Sequence, residues 1–197
     1  ARVIAADADP ATSRLAWVIE TPFRGARAFI ARDDRSPIIP VANDDEAIDV
    51  MLDTSGHGLF VLGRGAGGFV LRYLRTGEPA RVVAGPIPLW RTKLFRHGER
   101  VVLLTPEAAI AVDSNGAATQ VLDLQNGRID ALALSADGAT ILTESQGSIT
   151  RLDAAGRATE WLAAGRSPSF VTETGEFLFW VDDTPRDAQG ANVWQYA

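Results

Sequence analysis

The chain contains no cysteine, one methionine (Met51) and two histidines among its 197 residues. Lacking cysteine, it forms no disulfide, offers no thiolate nucleophile and builds no cysteine-bound zinc site. The two histidines, His57 and His97, each precede a glycine. That is the place of a turn residue, and turns on neighbouring units hold the two rings too far apart to share a metal or a proton. No apolar run approaches the roughly 20 residues of a membrane-spanning helix, so no membrane insertion is expected. Positive charge is also short. The 19 Lys and Arg stand against 25 Asp and Glu, a formal net charge of −6. Without a basic face, no nucleic-acid partner is expected. No G-x-S-x-G pentapeptide occurs either, so a Ser-His-Asp hydrolase centre is not legible.

What the chain has is turns and short apolar runs, with Gly 18, Pro 10 and 46% hydrophobic residues. The stretch from Ile129 to Gly165 sets the pattern. Ile129–Leu134 alternates and leads into Asp137-Gly138; Thr140–Thr143, Ile149–Asp153 and Ala158–Leu162 follow, separated by Gly147 and Gly156. An Asp-Gly pair between alternating runs signals a hairpin, because glycine accepts the positive φ of a tight turn. Four such strands in about 40 residues make one blade of a β-propeller.

The landmarks recur. First-turn glycines stand at Gly58, Gly98, Gly138 and Gly175, and third-turn glycines at Gly77, Gly116 and Gly156. Ile48-Asp49 matches Ile129-Asp130, and the octapeptide Leu15–Pro22 matches Leu178–Pro185, each with a central tryptophan. The expected fold is all-β: a propeller-like array of about five four-stranded antiparallel blades in one domain, residues 1–197. The blades fall at about 2–42, 43–85, 86–124, 125–165 and 166–197. The third opens with a strand near Leu89–Phe95. The last lacks a fourth strand, which predicts a partial or open propeller, a fragment of a larger one or one completed by another polypeptide. The chain begins at Ala1 without a visible signal peptide, as an excised segment or a processed mature form would.

The pattern Ser135-Ala136-Asp137-Gly138-Ala139-Thr140-Ile141-Leu142 resembles the WD40-like (PD40) repeat of TolB-type propellers, as do Asp9-Pro10 with Arg14–Trp17, and Asn192–Tyr196. Units two and three depart from it, placing His57 and His97 where the turn aspartate stands, and no Trp-Asp pair ends a blade. The resemblance implies a blade and no particular activity. It is shared by the TolB translocation protein, by the propellers of prolyl oligopeptidase-type peptidases, and by many secreted and periplasmic proteins. A periplasmic or extracellular location is therefore expected.

Three functions fit. The first is a non-enzymatic protein-interaction or scaffold module, whose protein partner covers the incomplete last blade. The second is the substrate-gating propeller of a prolyl oligopeptidase-type serine peptidase, its catalytic domain absent. The third is a lectin-like binder of a glycan or small ligand. Loops joining second and third strands share one end of a propeller with the inter-blade connections. That end collects the candidate binding residues Arg24, Arg64, Asp44, Asp45, Glu46, Arg128, Arg166, Asp182 and Asp183.

No cofactor and no metal are expected. Gly63-Arg64-Gly65-Ala66-Gly67-Gly68 fits a dinucleotide-binding glycine pattern, but Phe69–Leu74 aligns with the third strands of the other units, so it reads as an inter-strand loop. The acid clusters Asp33-Asp34, Asp44-Asp45-Glu46 and Asp182-Asp183 lack calcium-loop spacing. Of the five tryptophans, Trp17 and Trp180 are expected between blades and Trp161 on an outer strand; Trp90 and Trp194 fit either the core or a loop mouth.

Overall fold

A computed structural model describes residues 1–9, 12–31, 39–40, 46–55, 58–65, 67–75, 78–124, 128–135, 137, 139–170, 177–181 and 192–196. Every regular element among them is a strand. Sheet one holds β1 (Arg2–Asp9), β2 (Arg14–Thr21), β3 (Gly25–Ala31) and β4 (Ile39–Pro40); sheet two holds β5 (Glu46–Leu52), β6 (Gly58–Gly65), β7 (Gly68–Arg75) and β8 (Arg81–Ile87). Sheet three holds β9 (Phe95–His97), β10 (Arg100–Leu104), β11 (Ala108–Val112) and β12 (Ala118–Asp123). Sheet four is β13 (Ala131–Leu134), β14 (Thr140–Ser145), β15 (Ser148–Asp153) and β16 (Ala158–Ala164). Sheet five has three strands, β17 (Arg166–Phe170), β18 (Phe177–Val181) and β19 (Asn192–Tyr196). Within each sheet every strand pairs with its neighbour in the chain, so the expected all-β array of small antiparallel sheets is what forms. Of the glycine pattern at 63–68, Gly63 and Gly65 lie on β6, and Gly68 opens β7, which also carries Phe69.

The chain divides into two compact units, residues 1–106 with 110–120, and residues 107–109 with 121–197. In the first, β6 explains the architecture. Gly58 through Gly63 are all buried, an unbroken run that fits a strand covered on both faces. Leu59 and Val61 join Val50 and Leu52 against Ala16, Val18, Ala26 and Ala28 of sheet one. Phe60 and Leu62 point the other way, joining Leu71 and Tyr73 against Leu94, just ahead of β9, and Val101, Leu103 and Val112 of sheet three. Alternate residues of a strand face opposite sides, so one strand serves both contacts. The small alanines of sheet one let it approach the branched side chains of sheet two closely, and close packing of this kind is what a sheet interior requires. In the second unit, Leu142 and Ile149 form the buried centre, with Ala133, Leu162 and Phe170 against them.

Two expectations change. Trp17 does not fill the contact between sheets one and two: its neighbours Ala16 and Val18 do, and the alternation turns Trp17 to the opposite face. There it is half-buried and stacks on its cross-strand partner Phe29, ring centroids 6.1 Å apart. Leu15, 45% exposed, stands on the same face. The first strand of sheet three is also shorter than expected, Phe95–His97 rather than Leu89–Phe95. Pro86 and Pro88 have no amide to give a ladder, and the next amides go elsewhere, Trp90 N–H to the Leu104 carbonyl and Leu94 N–H to a side chain. Trp161 lies on β16 as expected, 64% exposed; the side chains of Trp180 and Trp194 lie outside the described residues.

Polar groups lock sheet one to sheet two. The buried Arg14 guanidinium donates to the carbonyls of Asp53 (2.6 Å) and Gly58 (3.1 Å) and lies 3.5 Å from the Asp53 carboxylate. Asp53 in turn accepts from the Gly58 amide, the Ser55 hydroxyl and the Tyr73 hydroxyl. Burial, and then the bond to Asp53, push the Tyr73 phenol up to about 12. A β-carbon at Gly58 would overlap the Tyr73 hydroxyl and ring. Arg14→Ala leaves a buried carboxylate without its guanidinium and is expected to cost about 3–5 kcal/mol in urea unfolding. Arg2→Ala removes the exposed Arg2–Glu20 pair (2.9 Å) and should cost under about 1 kcal/mol. Gly58→Ala should cost about 1–3 kcal/mol by overpacking, and combined with Arg14→Ala the two losses should fall short of additive because they disturb one network.

Candidate functional site

In the first unit, the hairpin joining β2 and β3 is built from Thr21-Pro22-Phe23-Arg24-Gly25. The Thr21 hydroxyl accepts the Arg24 amide (3.2 Å) and donates to the Gly25 carbonyl (3.3 Å). Gly25 sits at φ +66°, a left-handed conformation that glycine adopts without a steric penalty. The turn is thus closed by its own residues, and it leaves Phe23 97% exposed, with Arg24 exposed beside it. Below it opens a cavity of about 430 Å³ lined by Arg2, Glu20, Thr21, Pro22, Gly25 and Glu46. Glu46 opens β5 and pairs in register with Arg64 of β6. Arg64 is exposed and its guanidinium lies over the Phe69 ring, 5.6 Å from the centroid.

Of the residues singled out in the sequence, Arg24 and Arg64 therefore stand at the hairpin ends of sheets one and two, where second strands pass to third strands. The cavity brings Glu46 next to the hairpin that carries Arg24. Asp44, Asp45, Asp182 and Asp183 lie outside the described residues. In the second unit, Arg128 is exposed and its carbonyl accepts the Ser145 hydroxyl (2.8 Å); Arg166 is exposed and opens β17 opposite Trp180. Next to Arg166, the Ser167 amide donates to the Glu144 carboxylate (2.8 Å). Among the described residues, no cluster of His, Cys, Asp and Glu is arranged to hold a metal ion.

Phe23, Arg2 and Glu20 are the residues that sequence reasoning passed over. The signal available was Pro22-Phe23-Arg24-Gly25 itself: a large apolar residue inside a turn has no sheet face to turn to. His97, by contrast, is placed as expected, at the end of β9 ahead of the turn at Gly98 (φ +56°). Burial, and then the charge of Arg100, hold its imidazole below the usual range, which keeps it neutral near neutrality.

Neither the protein-family models nor the curated proteins hold a match for this chain. Solved structures do match. TolB from Acinetobacter baumannii superposes with a TM-score of 0.68 at 12% identity, over 92% of this chain and 49% of that one. A chain of the nidogen/laminin complex gives 0.64 at 12% identity, over 90% and 71%, and Kuenenia stuttgartiensis hydrazine synthase gives 0.64 at 12%, over 90% and 55%. The chain thus spans about half the length of the TolB and hydrazine synthase chains it matches. At this identity the likeness concerns architecture alone, and the architecture is that of a β-propeller: a succession of small antiparallel sheets.

Proposed function

We propose that the chain is a non-enzymatic protein-interaction module built from TolB-type repeats, working in the periplasm or outside the cell. In this reading the β2–β3 hairpin of sheet one is part of its contact surface. The observation that carries it is Phe23. A phenylalanine 97% exposed is a standing cost in water unless something covers it, and here it is held out on a turn fastened by its own hydrogen bonds. Such preorganisation lowers the entropy lost on association. Aromatic and arginine side chains dominate the energetics of protein interfaces, and Phe23 and Arg24 are adjacent. The partner is expected to supply an apolar pocket for the ring and a carboxylate for the guanidinium. Among similar structures, the nidogen/laminin complex is itself an assembly of two proteins, which agrees with an interaction role for this architecture.

The test uses a photo-crosslinking phenylalanine analogue at position 23, with capture from an extract of the source cells. One discrete crosslinked protein is expected, competed away by unlabelled wild-type chain. Phe23→Ser and Arg24→Glu should each weaken capture at least about tenfold while shifting stability by less than about 0.5 kcal/mol, as substitutions at exposed positions do. Capture unaffected by both changes would sink the proposal. Saturable binding of a glycan, abolished by Glu46→Gln and not by Phe23→Ser, would replace it with the small-ligand reading, seated in the cavity beneath the hairpin.

A further inference from the structure

Two aspartates in the first unit do the same job one sheet apart. Asp7 of β1 accepts the Leu52 amide of β5 (2.8 Å), and Asp49 of β5 accepts the Leu94 amide at the threshold of β9 (2.7 Å). Donor and acceptor are 45 residues apart in both cases. Each tie satisfies a backbone amide at the junction of two sheets that no ladder reaches.

The two ties differ in what surrounds them. The same oxygen of Asp7 also receives the Arg96 guanidinium at 2.6 Å, and Arg96 donates in turn to the Leu52 carbonyl (3.0 Å). Asp7 is therefore half-exposed and neutralised at contact distance. Asp49 is 8% exposed. Its second oxygen accepts the amide of the next residue, Val50 (2.9 Å). Among the described residues no guanidinium or ammonium group lies within ion-pair distance of it. The charged groups around it are the exposed Lys93 on the segment entering β9, which favours its ionised form, and Asp7 on β1, which opposes it; Arg96 is committed to Asp7. Glu46 opens its own strand and Asp53 directly follows it, three and four positions away.

We propose that the junction of sheets two and three is fastened by a proton-sensitive tie at Asp49, which lacks the guanidinium that clamps the Asp7 tie between sheets one and two. The reasoning is electrostatic. A carboxylate that gives both oxygens to backbone donors holds them most strongly when ionised, yet burial without a counter-ion penalises that ionised form. Burial, ahead of the opposing Leu94 and Val50 amides, raises the Asp49 carboxyl from 3.8 to about 6. The sign follows from linkage. The folded chain binds this proton more tightly than the unfolded chain, so the stability this group contributes is fully present below 3.8 and is lost as pH rises through about 6. At neutral pH the tie is charged and tight; on acidification it trades hydrogen-bond strength for relief of burial. This inference does not depend on the partner-binding reading.

The experiment follows the backbone amides of the folded chain by NMR from about pH 7.5 down to about pH 5, where carboxylates of ordinary pKa stay largely ionised. The Leu94 amide resonance is expected to titrate with a midpoint near 6. Asp49→Asn should abolish the Leu94 titration. Should that variant fail to fold, Lys93→Ala decides: losing the ammonium charge should move the midpoint upward. Leu94 flat throughout, or a Leu94 titration that survives Asp49→Asn or ignores Lys93→Ala, would overturn the proposal.

Discussion

The contact between sheets one and two rests on a match of size: alanines on one side, branched aliphatics on the other. Apolar contact has no direction and cannot set how far one sheet slides over the next. Hydrogen bonds supply that register. Asp7 fixes β1 against β5, and Arg14 fixes β2 against the turn between β5 and β6. The two act from different strands of sheet one, so together they define an orientation as well as a position. Removing either leaves buried polar groups whose desolvation is no longer offset, and the alanine face then has no reason to prefer its present alignment.

Asp49 shows the same device at a different cost. Where Asp7 borrows a guanidinium, Asp49 relies on two amides alone. Sheet three pays for this in length. Its first strand shortens to three residues because the amide just before it is engaged by sheet two rather than by a ladder. The tie between sheets and the regularity within a sheet compete for the same backbone donors.

Much of the fold was legible because turns announce themselves locally. Gly98, Gly116, Gly147 and Gly156 all have positive φ, as a tight turn requires, and the matched segments Leu15–Pro22 and Leu178–Pro185 do place their tryptophans on second strands, β2 and β18. What local signals could not show was which face of a strand is covered. Trp17 was expected at the contact between sheets because large apolar residues usually find one; instead three alanines and a valine of sheet one hold it, since small side chains let the sheets approach. The candidate site was legible in part. Arg24 and Arg64 do stand at hairpin ends, whereas Phe23 was passed over although its place inside the turn Pro22–Gly25 was a signal. Arg14, Asp49 and Asp53 are ordinary charged residues in the sequence, and their importance lies in burial and in partners 39 to 45 positions away.

The hairpin that carries Phe23 has one further consequence. Its closing bonds run between Thr21, Arg24 and Gly25, all within five consecutive residues, and none reaches another sheet. Whatever it recognises can therefore change by exchange of two side chains at the tip while the scaffold beneath is untouched. Natural variation, or a designer grafting a foreign epitope, would meet little resistance at that spot and a great deal everywhere the sheets meet.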